Sequence, residues 1–185
     1  MELLEFFQQR LKAMGGEIFT PTNLEEAKKT ILKISEEKKP GKIAILPGPI
    51  IDSLKLDEDL KQSGAEIFYK NLFEVKEVLN LSITEVDYGI AQTGTLVDDS
   101  TSLDKRIATM MPETVIALLR SDHLTFNMAE AIKLYRQKGD VPSYLAFVTG
   151  PSRTADIERV LTIGVHGPKH LYVLVMPEEG ENKNE

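Results

Sequence analysis

The chain has no cysteine among its 185 residues. It therefore forms no disulfide and offers no thiolate nucleophile, no cysteine-ligated zinc and no iron–sulfur cluster on its own thiolates. Positive charge is also scarce: 22 Lys and Arg face 29 Asp and Glu, for a net charge of −7. A phosphate-backbone binder carries the opposite balance, so no nucleic acid is expected as a partner, although a local basic pocket for a small anion remains compatible. No apolar run approaches the roughly 20 residues of a membrane span. The start, Met1-Glu2-Leu3-Leu4-Glu5, lacks the basic opening and apolar centre of a signal peptide, which leaves a cytoplasmic address as the expectation. Four motifs are missing as well: the GxxxxGK[ST] phosphate loop, the GxGxxG dinucleotide fingerprint, the GxSxG nucleophile elbow and the HExxH zinc pair. No metal site and no bound cofactor are expected from the residues.

What is present fits one domain over residues 1–185, since domains commonly run to about 100–200 residues. Hydrophobic residues are 42% and charged residues 28% of the chain, ordinary for a globular protein. Residues 3–14 space apolar groups at helical intervals and stop at Gly15-Gly16. Asn23 is placed to cap a second helix over 24–39, whose Leu24, Ala27, Ile31 and Ile34 form one stripe. Extended segments are expected at 17–19, 42–46, 65–69, 83–91, 95–97, 114–119, 144–149 and 171–176. Helices are expected at 124–138 and, after a short loop, at 154–161; Pro47-Gly48-Pro49 could shape a cleft wall, a rigid turn explaining it equally well, and residues 177–185 read as a frayed tail. Strands alternating with helices predict an α/β, Rossmann-like, mostly parallel sheet with flanking helices.

Three segments carry chemistry. The first is Gly150-Pro151-Ser152-Arg153-Thr154, between a strand and an expected helix. Helix N–H groups, two hydroxyls and a guanidinium would there converge on a phosphate or carboxylate at the carboxyl end of a strand. The plainer reading is that Ser152 or Thr154 caps the helix, with Asp156 set against its dipole. The second is Thr93-Gly94-Thr95, where a glycine lets the backbone approach a ligand and two hydroxyls bond it; a hairpin turn explains it equally. Beyond it, Asp98-Asp99 could ligate a hard cation, but reads more simply as a solvated, turn-forming loop. The third is Gly164–His170, where His166 stands beside Gly167 and can titrate near neutrality, or merely donate to a carbonyl in a turn. Five of the six arginines fall after residue 105, and their planar forks suit anion recognition.

Together, Ala91-Gln92-Thr93-Gly94-Thr95, GPSRTADIE at 150–158 and GVHGPKHLYVLV at 164–175 resemble the LUD domain family of the lactate-utilisation protein C type. The similarity is concentrated in residues 81–176. It implies a fold related to sugar-phosphate isomerases and CoA transferases, and a part in oxidising L-lactate to pyruvate beside partner proteins that carry iron–sulfur clusters. On this resemblance Thr93, Gly94, Thr95, Gly150, Ser152, Arg153, Thr154, His166 and Gly167 are ligand-binding candidates, and Asp156 and His166 are candidates for acid or base catalysis. The family pattern looks like Ala-Glu-Thr-Gly-Thr, whereas this chain has Gln92. An amide cannot act as nucleophile or base, so the position turns toward binding or scaffolding. Three functions stay open: an accessory, small-anion-binding subunit of lactate oxidation, a stand-alone enzyme on a CoA ester, nucleotide or sugar phosphate, and a structural interaction protein. Self-association is left open too.

Overall fold

Two of the β-branched runs, 114–120 and 170–176, are apolar at almost every position, which is the pattern of a strand covered on both faces. The computed structural model of the protein describes residues 2–75, 78–139, 141–154, 162–164 and 167–178, and it buries these runs at the centre. In chain order the elements are α1 (Leu3–Ala13), β1 (Glu17–Phe19), α2 (Leu24–Lys38), β2 (Lys42–Ile45), α3 (Pro49–Leu54), α4 (Asp57–Gln62), β3 (Glu66–Phe68), β4 (Leu81–Glu85), β5 (Tyr88–Ile90), β6 (Thr95–Asp99), α5 (Leu103–Met110), β7 (Thr114–Arg120), β8 (Leu124–Thr125), α6 (Met128–Gln137), β9 (Leu145–Val148), β10 (Arg153–Thr154), β11 (Thr162–Ile163) and β12 (His170–Met176).

Six strands form a sheet in the order β1-β12-β7-β4-β2-β3, and every pair in it is parallel. The α/β reading holds. A second sheet, β8-β5-β6-β9, is built by the excursions between β4 and β7 and between β7 and β12. It is mixed, with β5–β6 and β6–β9 antiparallel and β5–β8 parallel. Alternation along β7 and β12 divides the core. Ile116, Leu118, Tyr172 and Leu174 pack with Ala27, Ile31, Ile51 and Leu60 of α2, α3 and α4. Val115, Ala117, Leu119, Leu171 and Val173 face the other way, onto Phe7 and Leu11 of α1 and Leu96 of β6. Period-two side-chain direction is enough to produce both layers.

Helix α2 begins where Asn23 predicts: its Oδ1 accepts from Glu26 N at 2.9 Å, and Glu26 Oε2 accepts from Thr22 N at 2.8 Å, a reciprocal cap. Four expectations need correction. The run 83–91 is two strands in different sheets, β4 and β5, because Val86 N donates to Leu118 O whereas Asp87 N donates to Val97 O. The helix expected from Leu124 starts at Met128; Asn127 caps it by accepting from Glu130 N at 3.0 Å, and Leu124–Thr125 pair with β5 instead. Pro47-Gly48-Pro49 is not only a turn: Pro49 opens α3, and Glu85 Oε1 accepts from Ile50 N and Ile51 N at 2.7 and 2.9 Å. Thr154 lies in β10, paired with β11, and not at a helix start; residues 155–161 of that expected helix lie outside the described residues. Among the described residues no helix is long and apolar enough to cross a membrane.

Candidate functional site

The Thr93-Gly94-Thr95 segment closes the β5–β6 hairpin. Gly94 N donates to Ile90 O at 2.9 Å, Gln92 N donates to Phe126 O at 2.9 Å, and Gly94 sits at φ +66°, a left-handed conformation that glycine adopts without penalty. Thr93 Oγ1 lies 2.7 Å from Thr95 Oγ1, which lies 2.7 Å from Thr149 Oγ1 at the end of β9. Three hydroxyls joined by two hydrogen bonds use two of their three protons. One proton is left to donate outward, and the opposite end of the chain keeps its lone pairs. Such a chain can donate to a carbonyl or carboxylate oxygen.

This chain opens into a cleft of about 600 Å³. Arg10 of α1 and Met14, which caps it, form one wall, Gln92 and the threonines the floor, and Ile90, Met128 and Phe147 the apolar remainder. Its volume falls within the range of small-molecule sites, about 300–1,000 Å³. The cation there is Arg10, whose guanidinium lies 5.0 Å from the centre of the Phe6 ring. Nothing in the sequence flags Arg10, an ordinary residue of an amphipathic helix. Thr149-Gly150 did carry a signal, since it repeats the Thr93-Gly94 pair.

The Gly150–Thr154 loop is arranged differently from expectation. It follows the carboxyl end of β9, but β9 belongs to the mixed sheet. Ser152 N donates to Pro168 O at 2.8 Å and Gly164 N donates to Ser152 O at 2.9 Å, while Lys169 N and His170 N both donate to Glu113 O. The loop therefore stands at the amino ends of β7 and β12, away from the edge where open α/β sheets bind ligands. A Cβ on Gly167 would stand 2.9 Å from Ser152 Cβ, so the first and third segments do meet. Arg153 donates from Nη2 to Met14 O at 2.6 Å. That ties it to the carboxyl end of α1, where a cation also complements the helix dipole. Arg153→Ala is accordingly expected to lower stability by about 1 kcal/mol with no ligand present, checked by urea unfolding of the free chain. Asp156 and His166 lie outside the described residues.

Two of the three candidate glycines pack against the carboxyl end of α1. A Cβ on Gly94 would stand 2.4 Å from Leu11 N, and one on Gly150 would stand 2.4 Å from Met14 O. The hairpin turn and the Gly150 loop thus clamp the last turns of α1 and hold Arg10 and Met14 at the cleft.

Asp98 is the further surprise. It lies in β6 at 1% exposure, not in a solvated loop. Lys105 Nζ stands 3.2 Å from Asp98 Oδ1 and also donates to Glu85 O. Burial pushes the Asp98 carboxyl up to about 7 against the pull of Lys105. Next to it, Asp87 Oδ2 accepts from Asp99 N at 2.6 Å and from Tyr135 Oη at 2.8 Å. Burial and the Asp87 charge raise the Tyr135 phenol well above its ordinary value. Among the described residues no group of three or more His, Cys, Asp or Glu is placed to hold a metal ion.

Comparison with known proteins agrees with these motifs. The family model described as LUD domain matches residues 4–176. A protein of Geobacillus sp. named "Lactate utilization protein C" is 32% identical over 193 aligned positions, covering 94% of this chain and 78% of that one. A protein of the same name from Anoxybacillus flavithermus is 28% identical over 179 residues, covering 94% of this chain and 80% of that one. With the Bacillus subtilis protein of that name the match is 38% identical over 104 residues, 54% of this chain and 43% of the other. Among solved structures, a DUF162 family protein from Deinococcus radiodurans superposes with a TM-score of 0.62 at 18% identity, over 94% of this chain and 96% of that one; it shares the fold.

Proposed function

The chain belongs to the LUD domain family, and from that premise we propose that it is an accessory subunit of a system oxidising L-lactate to pyruvate, binding a small anionic ligand in the Arg10 cleft. The relatives named for lactate utilisation supply the pathway class. The observation that carries the binding role is the Thr93–Thr95–Thr149 hydroxyl chain, opening into the same cleft as the Arg10 side chain. A 2-hydroxy or 2-keto acid presents a carboxylate for the guanidinium and a neighbouring oxygen for the hydroxyls. Arg153, which donates from Nη2 to Met14 O, also holds the wall that carries Arg10. A chain with no cysteine leaves any iron–sulfur chemistry to partner proteins.

Thermal unfolding against L-lactate and pyruvate tests the binding role. A ligand at a hundred times its Kd adds about 2.7 kcal/mol, a rise on the order of 5–10 °C for a domain of this size. One of the two acids is expected to raise Tm in the wild type and to lose that effect in Arg10→Ala and Thr93→Val. Equal rises in the variants, or none in any protein, would remove the cleft from this role. Recovery of cysteine-rich proteins with the tagged chain from lactate-grown cells tests the accessory role separately.

A further inference from the structure

The cleft is too large and too apolar for a three-carbon acid alone. Lactate has six non-hydrogen atoms; even at water's liquid share of about 30 Å³ per such atom, it fills under a third of the roughly 600 Å³ available. The rest is walled by Met14, Ile90, Met128 and Phe147. Three of these are side chains that a folded protein ordinarily tucks away: Met14 is 37%, Met128 54% and Phe147 41% exposed. Phe6, whose ring lies 5.0 Å from the Arg10 guanidinium, stacks on Phe126 with ring centres 6.1 Å apart, and Phe126 is 46% exposed. Methionine sulfur and a phenyl face together suit a flat ring, because the thioether is polarisable and adapts to an aromatic edge. At the floor, the hydroxyl chain has one free proton to donate, which matches a ring carbonyl.

Resting on the lactate-oxidation reading above, we propose that this cleft also holds a quinone-class electron acceptor, in exchange for the acid because both use the one free proton of the Thr93–Thr95–Thr149 chain, with its carbonyl on that chain and its ring against Phe147 and the two methionines. The redox balance fits. Converting L-lactate to pyruvate breaks the C2–H and hydroxyl O–H bonds, forms C2=O and releases two electrons and two protons. A quinone takes up both pairs, each carbonyl becoming a phenolic hydroxyl. The chain, lacking thiolates, serves as the seat of the acceptor and not as an electron carrier.

The probe is 2-methyl-1,4-naphthoquinone, which a cysteine-free protein cannot trap as a thiol adduct. Its binding to the purified chain is measured by calorimetry beside 2-methylnaphthalene, L-lactate and pyruvate. The naphthoquinone is expected to bind the wild type, to weaken at least tenfold in Phe147→Ser, and to weaken also in Thr93→Val; both side chains are exposed, and circular dichroism and urea unfolding of each variant check that it is folded. The hydrocarbon, which has no carbonyl, is expected to bind far more weakly. Equal binding of hydrocarbon and quinone, or quinone binding unchanged by Phe147→Ser, overturns the proposal. Lactate or pyruvate binding without the quinone overturns it and leaves the anion-binding reading standing. Quinone binding without either acid does the reverse.

Discussion

Gly94→Ala is expected to cost about 3–4 kcal/mol, whereas Gly64→Ala, at a similar backbone angle, costs about 1 kcal/mol. The two glycines have φ of +66° and +84°, so each substitution pays the left-handed penalty of an L residue. They differ in the space around them. A Cβ at Gly64 meets nothing within 4 Å, while one at Gly94 meets Leu11 N at 2.4 Å, the Arg10 carbonyl carbon at 2.6 Å and Leu11 Cα at 2.8 Å. All three are backbone atoms of α1, which no rotamer change can clear. Relief requires shifting α1, and α1 is anchored by Phe7 and Leu11, both at 0% exposure in the core. Urea unfolding of both variants measures the difference, and a common cost for the two would refute the clamp. Since α1 also carries Arg10 and Met14 into the cleft, Gly94→Ala is expected to weaken ligand binding under conditions where the variant is still folded.

The pattern that made the fold legible is the one that physics enforces locally. Asn23 marked the start of α2, and the apolar runs at 114–119 and 171–176 marked strands. What escaped was decided at a distance. Helix α3 starts on a carboxylate from β4, Glu85, 35 residues away from Ile50, and no window around Pro49 contains that partner. The cut between β4 and β5 depends on Val86 and Asp87 bonding to different sheets, while the side chains on either side read as one extended run. The candidate site shows the same division. Thr93, Thr95, Gly94 and Gly150 stood out because glycine and hydroxyl residues are conspicuous in turns, yet what the glycines approach is α1. Arg10 entered the cleft only through that packing, and Arg153, the conspicuous cation, reaches from its own loop to Met14 O.

Asp98→Asn is expected to stabilise the protein at pH 8 and to lose the larger part of that advantage as the pH falls toward 5. In the folded chain the Asp98 carboxyl is raised from 3.8 to about 7, first by burial and then, among the charges, by Asp87 and Asp99 against Lys105. Between those two values the folded state holds a proton that the unfolded chain has released. Stability therefore falls as pH rises through this window, and the whole penalty is present above about pH 7. A shift of about three pKa units sets its ceiling near 4 kcal/mol. Asparagine copies the protonated shape and leaves Lys105 its bond to Glu85 O, so the variant escapes the penalty without opening a cavity. The quantity to measure is the stability difference between variant and wild type at pH 5 and pH 8, which cancels the titration of the other carboxylates. A gap that widens by about 2–3 kcal/mol between pH 5 and pH 8 is the expected result, since about two units of the window lie in that range. A gap independent of pH would mean that Lys105, 3.2 Å away, keeps the carboxylate ionised throughout, and that attraction rather than burial governs this corner of β6.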